Sequence, residues 1–266
     1  MIRAVVTGAA GRMGQRIVRM LHEEGGIALS GALEREGHPS EGADAGGIAG
    51  IGPIDVPLTT ALKPLLHDCD VVIDFTHPDV MEKTLEATAA AGKAFVSGTT
   101  GLTDRQMALV RTQGAKIPAL LAPNMSIGVN LLLKLLPLVA TALGDAYDVE
   151  ILEAHHHFKK DAPSGTANKL AEVIADALKR DPATAYTHGR CGMVGERKSG
   201  EIGIHAIRGG DIIGDHTVMF CGKGERVEVV HRATSRDTFA SGAVRAAKWI
   251  VGRQPGLYSM RDVLGL

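Results

Sequence analysis

Residues 2–14 read Ile-Arg-Ala-Val-Val-Thr-Gly-Ala-Ala-Gly-Arg-Met-Gly. A short apolar run, Ile2 to Thr7, leads into a glycine-rich segment, and a helical pattern of apolar residues follows from Ile17. This order predicts the strand, glycine turn and helix that begin a dinucleotide-binding unit. The glycines lie at positions 8, 11 and 14, so the common Gly-x-Gly-x-x-Gly spacing is not met, because Ala10 holds the middle position.

The glycines of this turn have separate expected roles. Gly8 would allow the tight turn, Gly11 a close approach of the backbone to a pyrophosphate, and Gly14 close packing of the helix. Glu34 and Arg35 follow a second strand-like run, and Glu34 lies twenty residues after Gly14. An acid at that distance can accept hydrogen bonds from the adenosine ribose, and an adjacent arginine can bind a 2′-phosphate. Together these features predict a dinucleotide site.

Composition sets limits on the kind of protein. A chain of 266 residues suits one large domain or two modest ones. Lys and Arg number 29 against 30 Asp and Glu, and aromatic residues make up only 3%. This balance argues against nucleic acid as the main partner, because nucleic-acid binding needs a basic surface.

The sequence also indicates a compartment. The longest apolar candidate, Leu131 to Leu143, is broken by Lys134 and Pro137, so no transmembrane helix is expected. The first residues form the predicted first strand, which leaves no room for a signal peptide. Three widely spaced cysteines fit reduced thiols. We therefore expect a soluble cytoplasmic protein.

Strands and helices alternate along the first half of the chain. Small polar residues follow three of the predicted strands: Asp74-Phe-Thr76, Gly98-Thr-Thr-Gly101 and Pro123-Asn-Met125. This alternation predicts a doubly wound parallel sheet with its ligand at the carboxyl ends of the strands. The glycine-rich stretch from Gly42 to Gly52 is expected to be a surface loop.

The second half has a different character, which predicts an α+β domain for substrate binding and oligomerisation. An apolar helix (128–143) and a strand (148–154) precede a polar stretch (177–201) that we expect to be a long loop. Three further runs predict successive antiparallel strands: 202–208, 213–220 and 225–232. A final helix (238–251) can pack back on the first domain. The expected domains are therefore 1–126 with 236–266, and 127–235.

Residues 153–166 carry most of the predicted chemistry and read Glu-Ala-His-His-His-Phe-Lys-Lys-Asp-Ala-Pro-Ser-Gly-Thr. Ionisable residues at the end of a strand, followed by a turn that opens a helix, are typical of an active site. The histidines and lysines can transfer protons, and the helix N-terminus can bind a carboxylate. Two alternatives are a surface loop with solvated charges and a zinc site from His155, His157 and an acid.

Together these segments resemble the 4-hydroxy-tetrahydrodipicolinate reductases, also called dihydrodipicolinate reductases, of the diaminopimelate route to lysine. The resemblance covers nearly the whole chain in order. It is carried by Gly8–Gly14, Asp74–Thr76, Gly98–Gly101, Asn124, Ser126–Asn130, Glu153–His156, Lys159, Asp161–Thr166, Arg208–Asp211, Gly214–His216 and Ser235–Arg236.

The resemblance implies roles for individual residues. His155 would be the general acid/base and Lys159 a proton donor, while His156, Gly165 and Thr166 would bind the substrate. His157 and Phe158 receive no role, and no metal is implied. The implied contacts with the dinucleotide are Gly8, Ala9, Ala10, Gly11, Arg12, Met13, Glu34, Arg35, Gly98, Thr99, Thr100, Ala122, Pro123, Asn124 and Met125.

The resemblance further implies an NAD(P)H-dependent oxidoreductase that uses both NADH and NADPH. Its substrate would be a small cyclic dicarboxylate, and the family usually forms a homotetramer through the sheets of the second domain. Two other functions stay open: another two-domain dehydrogenase of a small amino or hydroxy acid, and a non-catalytic dinucleotide-binding sensor.

Overall fold

The computed structural model describes residues 1–266. Its strands are, in chain order, β1 (Ile2–Thr7), β2 (Ile27–Leu33), β3 (Leu58–Thr59), β4 (Val71–Asp74), β5 (Ala94–Ser97), β6 (Pro118–Leu121), β7 (Asp148–His155), β8 (Tyr186–His188), β9 (Ile202–Arg208), β10 (Gly214–Cys221), β11 (Arg226–Ala233) and β12 (Gly256–Tyr258). Its helices are α1 (Gly14–Glu23), α2 (Ala45–Ala49), α3 (Leu62–His67), α4 (Pro78–Ala90), α5 (Asp104–Gly114), α6 (Ile127–Leu143), α7 (Gly165–Ala177), α8 (Pro182–Ala185), α9 (Asp237–Ile250) and α10 (Met260–Leu264).

The chain divides into two compact units. The first comprises Met1–Ile127 and Arg236–Leu266, and the second comprises Gly128–Ser235. The first boundary therefore lies one residue later than the sequence analysis placed it. Helix α9 packs against α1 and the sheet of the first unit, so that unit is built from two separate segments of the chain.

The first unit is built on a seven-stranded parallel sheet with the order β12-β6-β5-β4-β1-β2-β3. Its central strands are buried on both faces. In β1, Ala4 and Val6 belong to the apolar cluster that contains α1 and α9, whereas Val5 belongs to the cluster on the opposite face. Strands covered on both sides read as continuous apolar runs, which is why the sequence predicted them well. The doubly wound α/β fold is confirmed.

The second unit contains a five-stranded mixed sheet with the order β11-β10-β7-β9-β8. One face packs against α7, where Val149 and Ile151 of β7 meet Leu170 and Ile174 in one apolar core. The second domain of mixed α and β structure is therefore confirmed, and only part of its predicted strand pairing is correct.

The expected run of three antiparallel strands is wrong for β9. Strand β9 pairs in parallel with β7, and β10 pairs with β7 from the other side. The connection between β9 and β10 therefore crosses over the end of β7. Gly209 N–H donates to the His155 carbonyl at 2.9 Å, and His156 N–H donates to the Ile212 carbonyl at 2.7 Å. Local turn chemistry predicted a hairpin, but pairing with β7 determines the topology.

Two expected loops contain regular structure. The polar stretch 177–201 includes α8 and β8, and β8 gains its hydrogen bonds from β9. The glycine-rich stretch 42–52 includes α2. Asp44 caps this helix, and its carboxylate accepts from the N–H of Gly47 at 2.9 Å. A Cβ on Gly46 would lie 2.3 Å from the carbonyl oxygen of Gly52. The sequence analysis predicted a loop from these glycines, whereas in the structure Gly46 allows close packing of the backbone.

Helix α6 was predicted, but its apolar run is longer and less interrupted than expected. Together with the turn after it, Ile127–Ala146 is long and apolar enough to cross a membrane by length and composition, because Lys134 and Pro137 do not interrupt it. One such helix is weak evidence, since the core helix of a soluble protein passes the same test. Leu132 and Leu136 pack in the apolar core of the second unit.

Candidate active site

The glycine turn after β1 is held by its own backbone. Gly8 has a φ of 65°, a conformation that favours glycine, and its carbonyl accepts from Gly11 N–H at 2.9 Å. A Cβ on Gly14 would lie 2.1 Å from that same carbonyl oxygen. The first turn of α1 can therefore approach the strand only because position 14 is glycine. The turn is shaped to bring backbone N–H groups close to a phosphate.

The end of β2 lies directly beside this turn. Glu34 Oε1 accepts from the N–H of Ala10 at 2.9 Å, and Oε2 accepts from the N–H of Arg35 at 3.2 Å. The Arg35 side chain is exposed. The acid is therefore fixed beside the glycine turn, and an exposed arginine follows it.

Arginines make the surface next to the turn positive. Arg12 is exposed and lines a cavity together with Arg16, Arg19 and Arg236. Arg16 pairs with Asp237 at 2.5 Å, so one of these charges is balanced by an acid. The remaining positive charge suits a pyrophosphate group.

A buried carboxylate organises the carboxyl edge of the central strands. Asp74 is fully buried at the end of β4 and accepts four hydroxyl hydrogen bonds. The donors are Thr7 at 2.7 Å, Thr76 at 2.7 Å, Ser97 at 3.1 Å and Thr99 at 2.7 Å. These bonds fix the segment that contains Thr99, one of the predicted dinucleotide contacts. The sequence analysis quoted Asp74 within a motif but missed this network.

The segment after β6 approaches the same edge. Ala122 N–H donates to the Ser97 carbonyl at 3.0 Å, and Asn124 Oδ1 accepts from Ser126 N–H at 2.9 Å. The Met125 side chain is buried in the core of the first unit, where its carbonyl closely approaches Gly242. Any contact of Met125 with a nicotinamide would therefore use its backbone. The other predicted contacts in this segment stay predictions.

In the second unit, alternation along β7 places Glu153 and His155 on the core face with Val149 and Ile151. Glu153 is fully buried, and its Oε2 lies 2.6 Å from Nδ1 of His155. Arg208 of β9 donates to both carboxylate oxygens at 2.8 and 2.7 Å. Burial raises the pKa of Glu153, but the bonds from Arg208, His155 and the backbone outweigh it, so the pKa is lowered. Glu153 is therefore an anion.

The His155 ring packs against β10. Its side chain is 11% exposed, and its Nε2 would lie 3.1 Å from a Cβ on Gly214, so glycine leaves room for the ring. His216 stacks edge-on against it at 5.3 Å between ring centroids, and Ser164 Oγ lies 3.2 Å from His216 Nε2. Burial, together with the charge of His155, lowers the pKa of His216 to about 4. His216 is therefore neutral at pH 7.

The loop after β7 carries the predicted proton donor. Lys159 Nζ pairs with Asp161 Oδ1 at 2.9 Å, which lowers the pKa of that carboxyl group. The Asp161 carbonyl accepts from Arg208 at 2.6 Å, so the same arginine that binds Glu153 also holds this loop.

Helix α7 begins at the end of that loop. Ser164 is its N-cap, and its hydroxyl accepts from Ala167 N–H at 3.1 Å. The N–H groups of Gly165 and Thr166 lie in the first turn of the helix, at the positive end of its dipole. With the helix dipole, this end can bind a carboxylate.

The two neighbouring histidines lie differently. His156 is partly buried, whereas His157 is exposed, with its Nδ1 3.1 Å from the Gly210 carbonyl. No three His, Cys, Asp or Glu side chains form a group that could hold a metal ion. The alternative zinc site from His155, His157 and an acid therefore gains no support.

The sequence analysis quoted Ser164, Arg208 and His216 within motifs of the resemblance but gave them no role in the site. These three residues come from different elements and surround His155 and Glu153. Glu153 was quoted in the same segment as His155, two positions before it, and its bond to the histidine was not predicted.

Comparisons with known proteins agree over both units. The family described as "Dihydrodipicolinate reductase, N-terminus" matches residues 2–125, and "Dihydrodipicolinate reductase, C-terminus" matches residues 128–264. The 4-hydroxy-tetrahydrodipicolinate reductase of Geotalea daltonii is 54% identical over 266 residues and covers 100% of both chains. That of Anaeromyxobacter dehalogenans is 53% identical and covers 100% of this chain and 98% of the relative.

A solved structure extends this likeness. The dipicolinate-bound dihydrodipicolinate reductase from Paenisporosarcina sp. TG-14 has a TM-score of 0.76 and 28% identity, and the match covers 98% of each chain. The ranges matched by the two family models include the glycine turn, the buried Glu153–His155 pair and the start of α7. The chain therefore belongs to the dihydrodipicolinate reductase family.

Proposed function

We propose that this chain catalyses the NAD(P)H-dependent reduction of 4-hydroxy-tetrahydrodipicolinate to tetrahydrodipicolinate in the diaminopimelate route to lysine. Membership of the family makes it an oxidoreductase of this biosynthetic route. The observation that carries the proposal is the pairing of Glu153 with His155 on β7, with Ser164 of the helix start bonded to the same carboxylate. A proton-transferring histidine and an anion-binding helix end are what reduction of a dicarboxylate requires.

The first unit would hold the cofactor. The backbone of residues 8–13 would contact the pyrophosphate, since the glycines leave no side chain in the way. Glu34 would accept from the adenosine ribose, and Arg35 would pair with the 2′-phosphate of NADPH. A reduced nicotinamide dinucleotide, when bound, supplies a hydride. We propose that both NADH and NADPH serve.

The second unit would hold the substrate. One carboxylate would accept from the Gly165 and Thr166 N–H groups and the Thr166 hydroxyl at the positive end of α7. His156 would contact the ring, and Lys159 would add a positive charge. The related Paenisporosarcina structure contains dipicolinate, a flat ring with two carboxylates.

Proton transfer would belong to His155 with Lys159. Loss of the 4-hydroxyl group as water leaves a ring carbon conjugated to a C=N bond, and a hydride added to that carbon places negative charge at the ring nitrogen. Because His155 Nδ1 is engaged with Glu153, Nε2 is the atom that would deliver the balancing proton. Positioned cations would stabilise the developing charge.

We further propose that four copies assemble through the five-stranded sheet and that the enzyme works in the cytoplasm. The sheet face opposite the α7 core leaves Ile207 and Val230 49% and 44% exposed. Light scattering of the purified protein tests the assembly, and Ile207→Asp is expected to reduce the mass observed. The thiols of the three free cysteines would stay reduced in that compartment.

The activity is tested with the condensation product of pyruvate and aspartate semialdehyde. We expect loss of reduced-cofactor absorbance with NADH and with NADPH, and none when the semialdehyde is omitted. Activity only on other small amino or hydroxy acids would favour another dehydrogenase. Cofactor binding with no turnover of any substrate would favour a sensor.

A further inference from the structure

We propose that Glu153 is a positioning residue, which fixes the tautomer of His155 and ties it to the start of α7. The inference rests on the proposed role of His155 in proton transfer. In this role the buried carboxylate of Glu153 holds His155 and the start of α7 in a fixed position relative to each other.

The hydrogen bonds of Glu153 are fully specified. Oε1 accepts from Ser164 N–H at 2.9 Å and from Arg208 at 2.7 Å, and Oε2 accepts from Arg208 at 2.8 Å. His155 Nδ1 lies 2.6 Å from Oε2. An ionised carboxylate can only accept, so Nδ1 must carry the hydrogen. Neutral His155 is therefore the Nδ1–H tautomer, and Nε2 is left to exchange a proton with the substrate.

The charges around this cluster support the assignment. Glu153 is fully buried, and a buried anion needs a cation with good geometry. Arg208 supplies that cation through a two-pronged pairing, so His155 is not required to be charged for Glu153 to remain ionised. His216, opposite Glu153 in the register of β10, has its pKa lowered to about 4 and stays neutral. The Glu153–Arg208 pair therefore does not depend on the charge of His155.

The same carboxylate reaches two other parts of the site. Its bond to Ser164 N–H fixes the residue just before Gly165, where the substrate carboxylate is expected. Arg208 also donates to the Asp161 carbonyl at 2.6 Å, and Asp161 pairs with Lys159. A shift of Glu153 would therefore displace the histidine, the lysine and the helix start together.

Strand β7 offers a matched control. Glu150 lies three residues earlier on the opposite face of the sheet. Its carboxylate lies 2.6 Å from His205 Nε2 and accepts from Arg190 and Arg197 at 2.9 Å each. This cluster has the same residue types as the Glu153 cluster but does not contact α7. Because Glu150 lies on the sheet face proposed for assembly, light scattering of Glu150→Gln accompanies its kinetics. In the assembled protein kcat and KM should stay within about threefold of wild type.

The tautomer is tested first on the unaltered protein by imidazole 15N spectra of histidine-labelled samples, with His155 assigned by comparison with His155→Gln. We expect the Nδ1–H tautomer when His155 is neutral. The opposite tautomer in the wild-type protein would overturn the proposal without any other variant.

Kinetics then tests the consequence. Glu153→Gln should lower kcat by roughly 100-fold or more, since proton transfer contributes about 10²–10⁴-fold. Cofactor affinity should be unchanged, and the His155 spectrum should show mixed tautomers. If Glu153→Gln does not fold, Arg208→Lys keeps the charge but loses the two-pronged geometry, and its kcat should fall about tenfold.

The failure of this inference is distinguishable from failure of the proposed function. A Glu153→Gln enzyme within threefold of wild type, beside an inactive His155→Ala enzyme, would remove only the positioning role. Full activity of His155→Ala would remove the role of His155 itself.

Discussion

The carboxylate of Glu34 accepts a hydrogen bond from the N–H of Ala10 at 2.9 Å, which joins the end of β2 to the glycine turn after β1. The next side chain, Arg35, is exposed. These two neighbours favour different cofactors. The acid suits the ribose hydroxyls of NADH and repels a 2′-phosphate, whereas the arginine attracts that phosphate.

We therefore predict that NADH and NADPH both work, with a preference within about tenfold, or roughly 1.4 kcal/mol. Arg35→Ala should weaken NADPH selectively, and more so at low salt, because the pairing depends on screened charge. Dinucleotide affinities measured at two salt concentrations check this. Arg111→Ala, another exposed arginine, is the control and should change neither affinity. Equal weakening of NADH and NADPH by Arg35→Ala would contradict the assignment.

A second prediction concerns the turn itself. Gly14→Ala would place a Cβ 2.1 Å from a backbone oxygen, and backbone cannot yield as a flexible side chain can. We expect loss of dinucleotide binding and a lower free energy of unfolding. Gly47→Ala is the control, because its Cβ would meet only Asp44 at 3.9 Å and alanine favours the helix by about 0.5–1 kcal/mol. Denaturant unfolding and dinucleotide titration measure both effects, and normal binding by Gly14→Ala would refute the role.

A third prediction concerns catalysis. His155→Ala and Lys159→Ala should each lower kcat by roughly two to four powers of ten, with cofactor affinity near wild type. The double variant should lose less than the product of the two single effects, because groups that act as a unit are not additive. His157→Ala serves as the control, since that side chain is exposed and its ring bonds to the backbone carbonyl of Gly210. Near-normal turnover in Lys159→Ala would remove it from the mechanism.

A fourth prediction concerns substrate capture. Thr166→Val keeps the shape of the side chain but deletes a hydroxyl donor at the start of α7. KM should rise more than kcat falls, with a loss of about 1.5–3 kcal/mol, the range for a hydrogen bond to a charged group. Steady-state kinetics measures the split. An unchanged KM would mean that this turn only caps the helix.

The elements predicted well from sequence are those with a strong local signal. Strand β4 is a continuous apolar run, and in α5 the Thr103 hydroxyl and the Gln106 side chain form a capping box at the start of the helix. Short elements were missed because their partners are distant in sequence. Strand β8 exists through pairing with β9, and that partner lies beyond an intervening loop.

The candidate site shows the same division. His155, Lys159 and Thr166 lie within one segment whose residue types and resemblance indicate chemistry. Arg208 and His216 reach the site from other strands, so only the register of the sheet brings them to Glu153 and His155. Likewise, the four hydroxyls around Asp74 come from β1, β5 and the segments after β4 and β5, and no linear spacing predicts that they meet.

The last prediction concerns stability and pH, because burial and the nearby charge of His155 hold the pKa of His216 at about 4, below its ordinary 6.5. Between pH 6.5 and 4 the unfolded chain binds a proton that the folded chain does not, so the free energy of unfolding should fall as pH falls through this window. Replacing this histidine by glutamine should reduce the fall in the free energy of unfolding across this window by roughly 3 kcal/mol, since each pKa unit is about 1.4 kcal/mol.

The pKa of His231 is also lowered by burial, but that residue is unchanged in the variant, so the difference between variant and wild type isolates His216. His67→Gln is the control, because that side chain is 86% exposed. Urea unfolding over this pH range measures the slopes, and equal slopes for wild type and His216→Gln would show that His216 does not titrate as proposed.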